Sequence, residues 1–242
     1  MGRLLGIAAV GVAGLALIVT GLLSARTSTG PSAPHIDAVP TPGSVEKAPT
    51  SGDTLRPDPA WVQQVAASTG ISTPAVRGYA TAALRLAKDR PTCRIGWTTI
   101  AGIGAIETGH GTHGGAHLTA DGRTSKRIVG PALDGTNGNR AIRADAESTQ
   151  WHGDDTWDRA MGPMQFIPST WRQWASDGDG DGRKDPNDVD DAAYASARYL
   201  CHDGRDMSTG QGWSAAVFSY NHSADYVRSV LSQANRIGAA VG

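Results

Sequence analysis

Residues 98–111 read TTIAGIGAIETGHG, an apolar run with helical spacing that ends on a glutamate. On a helical wheel of about 100° per residue, Ile100, Ile103 and Glu107 fall within about 60° of one another, so Glu107 belongs to the apolar face. The run Thr108-Gly109-His110-Gly111 then ends the helix. A carboxyl group half-buried beside aliphatic side chains favours its neutral form, which predicts a raised pKa and an acid able to donate a proton near neutral pH. The alternative is a glutamate that only caps the helix or pairs with an arginine.

The sequence around this helix predicts a mainly α domain. Apolar residues recur at helical spacing from Val76 to Ala87, after a helix start at Ser72-Thr73-Pro74. Further helices are predicted from Pro168, over 189–200, over 213–219 and over 224–234. No alternating strand pattern joins them, and the stretch 114–155, rich in Gly, Asp, Asn and Arg, indicates long functional loops.

The N-terminal quarter of the chain has a different composition. Residues 4–23 form an uncharged run just long enough to cross a bilayer, with Arg3 before it and Arg26 after it. The segment 1–25 is either a retained membrane anchor or a cleaved signal, and both place the rest of the chain outside the membrane. Residues 26–59, rich in Ser, Thr, Pro and Gly, predict a flexible spacer. A single domain is expected over 60–242.

Charge and cysteine content restrict the possible partners. The net charge is -1, and the chain has no dense Lys/Arg run, which argues against nucleic acid as a partner. The two cysteines, Cys93 and Cys201, are too far apart in sequence for a zinc ribbon or a thioredoxin-type pair. In an oxidising compartment they can form a disulfide that stabilises the domain by ~4 to 5 kcal/mol in the chain-entropy model. The alternative is two buried thiols.

Two further motifs combine flat apolar surfaces with polar groups. Residues 160–171 read AMGPMQFIPSTW and contain Met164 and Gln165. Residues 219–226 read SYNHSADY and contain Tyr220 and Asn221 just before the last helix. Sugars are bound by such mixtures of aromatic faces and fixed hydrogen-bonding groups. Taken singly, each motif is also compatible with core packing.

Residues 177–188 have the oxygen spacing of an EF-hand loop. Acids occupy positions one, three, five, nine and twelve, and Gly182 occupies position six. This pattern predicts a structural Ca²⁺ site, with Arg183 contributing its backbone carbonyl; the side-chain ligands are Asp177, Asp179, Asp181 and Asp188. Because position twelve is Asp and not Glu, affinity is expected to be modest. The alternative is a solvated acidic turn.

Three histidines, His110, His113 and His117, follow Glu107 closely and raise the question of zinc. They lie in a Gly-rich stretch without a compact pattern such as His-Glu-x-x-His. We therefore interpret them as groove or surface residues and not as a metal centre.

The motifs IETGHG, AMGPMQFIPSTW, DGDGDGRKDPNDVDDAA and SYNHSADYV, in this order, resemble those of the membrane-bound B-type lytic transglycosylases, and most closely their actinobacterial members. The resemblance runs from about Ala60 to the C-terminal region. It implies a goose-type, lysozyme-like helical fold with a glycan groove and favours a metal in the acidic loop. It also implies cleavage of the β-1,4 bond between N-acetylmuramic acid and N-acetylglucosamine without water, leaving a 1,6-anhydro end.

The resemblance also assigns roles to residues. Glu107 matches the single acid/base of the family, and Gln165, Tyr220 and Asn221 match residues that hold the sugar and its acetamido group; Met164 is placed in the same groove. Thr156 stands where better-studied relatives have a serine, although the surrounding loop differs. A hydrolase needs a second carboxylate, and Asp154, Asp155 and Asp158 show no apolar context in the sequence.

These patterns together predict a monomeric wall enzyme that acts on peptidoglycan strands and needs no organic cofactor. Two alternatives stay open at this point. One is a muramidase that uses water on the same scaffold, and the other is a wall-binding module without catalysis.

Overall fold

The computed structural model describes residues 32–35, 55–136 and 140–241. Within them lie eight α-helices: α1 (Pro59–Thr69), α2 (Thr73–Asp89), α3 (Trp97–Thr108), α4 (Ala146–His152), α5 (Pro168–Trp174), α6 (Val189–Leu200), α7 (Gly210–Tyr220) and α8 (Ala224–Val241). The prediction of a mainly helical domain is confirmed. The predicted membrane segment 4–23 and most of the predicted spacer lie outside the described residues. No helix in the described part of the chain is long and apolar enough to cross a membrane.

The sequence pattern does not predict α1, the first helix of the domain. The side chain of Asp58 accepts hydrogen bonds from the backbone N–H groups of Ala60 and Trp61, and Pro59 occupies the first turn. Both features are typical of a helix start. The next helix, α2, begins at Thr73 as expected, although the Ser72 side chain makes no capping hydrogen bond.

Helix α3 lies at the centre of the molecule and packs against α2 and α8. Small residues allow this close packing. A Cβ atom on Gly102 would lie 2.9 Å from the carbonyl oxygen of Val230 in α8, closer than real Cβ atoms come. Ile100 and Ile103 are fully buried in the same core. Because α3 is enclosed along most of its length, the position of its C-terminal end is fixed by packing.

Two short strands lie between the helices, although the sequence shows no alternating strand pattern there. Strand β1 (Val129–Ala132) pairs antiparallel with β2 (Arg159–Met161), with Val129 opposite Met161. Strands of four and three residues are too short to produce an alternating hydrophobic pattern in a sequence.

The predicted disulfide between Cys93 and Cys201 is present, and its two Cα atoms lie 5.7 Å apart. It joins the segment between α2 and α3 to the end of α6, and both cysteines are buried. Next to it, the guanidinium group of Arg90 donates to the carbonyl oxygen of Cys201, and Nε of Arg94 donates to Asp206 at 2.9 Å. The bridge thus fixes two distant parts of the helical core to each other.

Candidate active site

The end of α3 sets the position of Glu107. Gly109 follows the helix with a left-handed backbone (φ 59°), and its N–H donates to the carbonyl oxygen of Ala105. The next N–H, of His110, donates to the carbonyl oxygen of Gly104 at 2.9 Å. These two bonds satisfy carbonyl groups of the last helical turn, and glycine favours the left-handed position because it has no Cβ. Glu107 therefore lies in the last turn of a rigid helix, as the sequence indicated.

Glu107 is half-buried and shares a short hydrogen bond with α8. The Tyr226 hydroxyl donates to Oε1 of Glu107 at 2.5 Å. Burial raises the pKa of Glu107 to about 8, and the bond from Tyr226 partly opposes the increase. At neutral pH the carboxyl group is therefore mainly protonated. Since Tyr226 engages one oxygen, the other oxygen is available to a bound molecule.

Tyr226 was inside a quoted motif but was not selected as a site residue. The rings of Tyr220 and Tyr226 are stacked, with centroids 6.4 Å apart and an angle of 5° between their planes. Tyr220 is fully buried, and its hydroxyl donates to the carbonyl oxygen of Met164 at 2.8 Å. The same hydroxyl lies 3.0 Å from the Ser196 hydroxyl. Tyr220 thus packs against Tyr226 and bonds to the 161–166 segment. Its predicted contact with sugar stays a prediction.

Residues 161–166, the MQF turn, form a tight reversal beside Glu107. The backbone groups of Met161 and Phe166 exchange two hydrogen bonds, at 2.8 and 3.0 Å. A Cβ atom on Gly162 would lie 1.7 Å from the carbonyl oxygen of Pro186, so only glycine fits there. The Thr108 hydroxyl donates to the carbonyl oxygen of Pro163 at 2.7 Å. Because Thr108 directly follows Glu107, this bond ties the turn to the acid.

The other predicted groove residues differ in exposure. Met164 is fully buried within the MQF turn. Gln165 is 7% exposed, has a left-handed backbone (φ 50°), and donates through Nε2 to the carbonyl oxygen of Gly162. A non-glycine residue at positive φ is often held there for function. Asn221 is half-buried at the end of α7. Thr156 is exposed, and its hydroxyl donates to Asp155.

The three aspartates considered as a second catalytic carboxylate are engaged away from Glu107. Asp154 pairs with Arg159 at 2.8 Å and accepts two backbone N–H bonds, which together lower its pKa to about 2. Asp155 is exposed. Asp158 is 2% exposed, contrary to the expectation from the sequence, and lies 3.3 Å from Nε2 of the buried His152. The geometry thus gives Glu107 no carboxylate partner from this loop.

The three histidines after α3 differ in their exposure and partners. Within the described residues, the one group of ligand-type side chains close enough to share an ion contains aspartates alone. Nδ1 of His110 lies 3.2 Å from the hydroxyl of the buried Tyr79, and burial lowers the pKa of His110 to about 4. His113 and His117 are exposed. Their interpretation as groove or surface residues agrees with this placement.

The acidic loop closes on a different residue from the one that the EF-hand spacing indicated. Among the described residues, carboxylate oxygens of Asp177, Asp179 and Asp191 lie within 4.8 Å of one another. Asp188 instead caps α6 by accepting from the Asp190 N–H, and it lies 3.8 Å from Nε of Arg123. In this acidic group Asp191, three residues later, stands where the spacing predicted Asp188, and the role of Asp188 as a ligand stays a prediction.

The other predicted ligands lie at the rim of this loop. Asp181 pairs with Arg123 at 3.2 Å. Arg183 is exposed, and its N–H donates to Asp181. These residues are outside the group formed by Asp177, Asp179 and Asp191.

The donor set of this group fits a hard divalent cation. All its ligand atoms are carboxylate oxygens, the type that Ca²⁺ prefers. Asp191 is buried and accepts the N–H groups of Gly178 at 2.6 Å and Asp185 at 2.8 Å, which fixes its two oxygens. Burial and neighbouring aspartates raise the pKa of Asp191 to about 7. A cation would remove this unfavourable accumulation of negative charge.

Residues 142–235 match the model of the transglycosylase SLT domain. This SLT segment includes the MQF turn, the acidic loop, Tyr220 and Tyr226. It begins after Glu107, so the place of Glu107 in the site depends on its bond from Tyr226 inside the SLT segment.

Comparison with curated proteins gave no match. Among solved structures, the chain is similar to the Escherichia coli lytic transglycosylase Slt35 in complex with calcium, at 18% identity over 76% of each chain and a TM-score of 0.47. It is also similar to SltB3 from Pseudomonas aeruginosa in complex with NAG-anhNAM-pentapeptide, at 16% identity, 80% of this chain, 70% of that chain and a TM-score of 0.40. Residue roles do not transfer at this level of similarity, so the role of each site residue depends on the geometry of this chain.

Proposed function

We propose that this protein is a peptidoglycan lytic transglycosylase of the membrane-bound B type, with Glu107 as its catalytic acid and base. The observation that carries the proposal is one half-buried carboxyl group, its pKa raised by burial, that accepts a hydrogen bond from Tyr226 of the SLT segment. A carboxyl group that is neutral near pH 7 can act as a general acid.

The proposed reaction uses Glu107 twice. In the first step the Glu107 carboxyl donates its proton to the oxygen of the bond between N-acetylmuramic acid and N-acetylglucosamine, and the bond from the muramyl C1 to that oxygen breaks. In the second step the Glu107 carboxylate accepts the proton of the muramyl C6 hydroxyl, whose oxygen bonds to C1. The product has a 1,6-anhydro end, and no water is added. Glu107 ends the cycle protonated.

The absence of a carboxylate partner in the 154–158 loop supports this reaction over hydrolysis. A hydrolase needs a second acid as nucleophile or to position water. Asp154 is paired with Arg159, Asp155 is exposed and Asp158 pairs with His152. An attacking hydroxyl supplied by the substrate removes the need for a second acid.

The groove that holds the strand is proposed to contain Thr156, Met164, Gln165, Tyr220 and Asn221. Their burial indicates different contributions. Gln165 and Asn221 carry amides that can bond to sugar hydroxyl and acetamido groups. The enclosed Met164 and Tyr220 shape the MQF turn and the position of Tyr226. Thr156, on an exposed loop, is proposed for the groove's outer edge.

The acidic loop is proposed to hold a structural Ca²⁺ through Asp177, Asp179 and Asp191. A bound cation would hold the loop against the first turn of α6, because Asp191 belongs to that helix. It would also hold Pro186 against Gly162 of the MQF turn. No step of the reaction involves the ion.

The proposed location is the outer face of the cell membrane, or the exterior if the N-terminal segment is removed. Residues 4–23 are long and apolar enough to span a bilayer, and the disulfide suits an oxidising compartment. The enzyme is proposed to act as a monomer on glycan strands.

Digestion of purified sacculi tests the proposed function. Mass spectrometry should find muropeptides that are one water lighter than hydrolysed ends. Glu107→Gln should abolish their release, while Glu147→Gln, the same change at an exposed glutamate, should not. Hydrolysed ends from the wild-type protein would identify a muramidase, and binding without any cleavage would identify a wall-binding module.

A further inference from the structure

The acidic loop and the residues beside it contain more carboxylates than the acidic group of Asp177, Asp179 and Asp191 uses. Four further aspartates surround the guanidinium group of Arg123, with N···O distances between 3.2 and 3.8 Å: Asp121, Asp181, Asp185 and Asp188. The last three of these occupy positions five, nine and twelve of the EF-hand spacing. One arginine therefore contacts three of the five acids that this spacing assigns to an ion.

The backbone holds Arg123 against the acidic loop. The N–H of Thr124 donates to the carbonyl oxygen of Asn187, and the carbonyl oxygen of Gly122 accepts the N–H of Val189, both at 2.9 Å. A Cβ atom on Gly122 would lie 2.5 Å from a carboxylate oxygen of α6, so the chain can approach this closely only because the residue is glycine. The Arg123 side chain thus extends from a fixed backbone, and little further conformational freedom is lost when it pairs with the carboxylates.

Arginines compensate the carboxylates outside the acidic group, but not those within it. Nη2 of Arg77 lies 2.7 Å from Oδ2 of the buried Asp190, and Arg123 is the counter-charge for four other aspartates. Arg56 and Arg85 also reach the loop, but their guanidinium groups donate to backbone carbonyl oxygens and not to carboxylates. In the part of the chain that the structure describes, the side chains of the acidic group pair with no lysine or arginine. The negative charge left for an added cation is therefore that of the acidic group.

We propose that Arg123 is a resident cation of the acidic loop, which competes with Ca²⁺ for the loop's carboxylates and so weakens calcium binding. This inference rests on the calcium site of the proposed function. The guanidinium group engages carboxylates that a divalent cation would otherwise attract, and it places a positive charge beside the ion. Because coupling between two binding events is reciprocal, Ca²⁺ must weaken the pairing of Arg123 as much as that pairing weakens the binding of Ca²⁺.

The competition has room to operate in both directions. The Arg123 side chain is 33% exposed, so solvent can receive its guanidinium group when an ion takes over the carboxylates. Without an ion, the same side chain keeps four like charges compensated. Single exposed ion pairs contribute little to stability, but one guanidinium group among four carboxylates forms a network. The loop is thus held in place at low calcium, and it takes up an ion only at the high concentrations typical of extracellular calcium sites.

Calcium titration calorimetry of the full-length protein in detergent tests the competition. Arg123→Gln should bind Ca²⁺ about tenfold more tightly than the wild type, because it removes a positive charge close to a divalent ion. Arg123→Lys keeps the charge but not the planar fork, so its affinity should lie between the two. Arg183→Gln removes the same charge from an exposed arginine of the same loop, and it should change the Kd by less than about threefold because exposed charges are screened.

Melting curves separate competition from a purely structural role. In chelator, the melting midpoint of Arg123→Gln should lie about 3 to 5 °C below that of the wild type, because four carboxylates lose their counter-charge. At saturating Ca²⁺ most of this deficit should disappear, since the ion supplies the missing positive charge. A deficit of equal size with and without Ca²⁺ would mean that Arg123 only stabilises the fold, and it would overturn the competition.

The wild-type protein allows a measurement that needs no substitution, in case Arg123→Gln does not fold. The NMR order parameter of the Arg123 Nε–H group should fall as Ca²⁺ is added, because the ion releases the guanidinium group from its carboxylates. Arg159, whose Nε donates to Asp154 at 2.8 Å outside the acidic loop, is the reference and should stay ordered. An Arg123 side chain that remains equally ordered at saturating Ca²⁺ would contradict the proposal.

The outcomes for Arg123 and for the calcium site are distinct. If the wild type binds Ca²⁺ and Arg123→Gln binds it no more tightly, the role of Arg123 is wrong while the calcium site stands. If only Arg123→Gln binds Ca²⁺, the guanidinium group is the loop's sole cation in the wild type, which supports the competition and contradicts the structural ion. If neither binds Ca²⁺, both the competition and the calcium site are wrong, and the release of muropeptides still tests the lytic activity separately.

Discussion

Burial disfavours ionisation of the carboxyl groups of both Glu107 and Asp191 of the acidic group, but the surrounding residues stabilise the two side chains differently. Glu107 stands among aliphatic side chains with one polar partner, Tyr226. Asp191 stands among other acids and is held by two backbone N–H groups. The pKa values of Glu107 and Asp191 are raised to about 8 and about 7. The first arrangement favours a proton and suits catalysis, whereas the second favours a cation and suits structure.

The largest expected effect is a loss of catalysis when Glu107, and not Asp191, is substituted. Glu107→Gln keeps the shape of the side chain but removes the transferable proton, so kcat should fall by about a thousandfold or more. The rate of muropeptide release from sacculi measures the change. Asp191→Asn should retain more than a tenth of the activity if that residue is structural. An equal loss in both variants would contradict the separation of roles.

The second effect is a response of stability to calcium. With Ca²⁺ at about a hundred times its Kd, the free energy of unfolding should rise by about 2.7 kcal/mol, which corresponds to a Tm increase of about 5 to 10 °C. Melting curves with Ca²⁺ and with a chelator measure it. Asp191→Asn should lose most of the response, whereas Asp181→Asn, at the rim of the loop, should keep most of it. Identical melting midpoints with and without chelator would show that Ca²⁺ does not stabilise the fold and would contradict the proposed structural ion.

The third effect is a dependence of the free energy of unfolding on pH that arises from Glu107. Because its folded pKa of about 8 exceeds the ordinary value of 4.5, its contribution to stability is fully present below about pH 4.5 and is lost as pH rises through 8. Glu107→Gln removes this loss. The variant should therefore gain about 4 kcal/mol over the wild type between pH 5 and pH 8.5. Urea denaturation at the two pH values measures the gain, and a constant difference would mean that Glu107 is not buried as described.

The smallest effect separates the two stacked tyrosines. Tyr226→Phe removes a bond that lowers the pKa of Glu107, so the alkaline limb of the kcat/KM profile should move up by about half a unit to one unit. Tyr220→Phe removes bonds to Met164 and Ser196 and should lower stability without moving that limb. Shifts of the same size in both variants would contradict the distinction between them.

Much of the helical core could be predicted because its residues are periodic. The pattern of Ile100, Ile103 and Glu107 indicated both the helix and the buried acid. The β1–β2 pair could not be predicted, since its backbone pairing joins residues about 30 positions apart. Helix α4 has seven residues and lies within a stretch interpreted as loops. Helix α1 did have local signals, Asp58 and Pro59, at the edge of a segment interpreted as spacer.

Two features of the site have local physical causes that a sequence pattern does not contain. The EF-hand spacing indicated Asp188, but that residue caps α6 and lies beside Arg123, and Asp191 in the first turn of the helix reaches Asp177 and Asp179. Tyr220 and Tyr226 are six positions apart on different helices, and the Tyr220 hydroxyl bonds to Met164 while the Tyr226 hydroxyl bonds to Glu107. These contacts depend on tertiary packing and not on local spacing.

The bond between Cys93 and Cys201 also has a consequence for a protein exposed to proteases. It spans 108 positions and closes a covalent ring that includes Glu107, the MQF turn and the acidic loop. A single cut of the backbone within this ring leaves the two pieces joined through the disulfide. On a denaturing gel such a nicked molecule would migrate as two fragments only after reduction, and the acid and the turn beside it would remain in one covalent molecule.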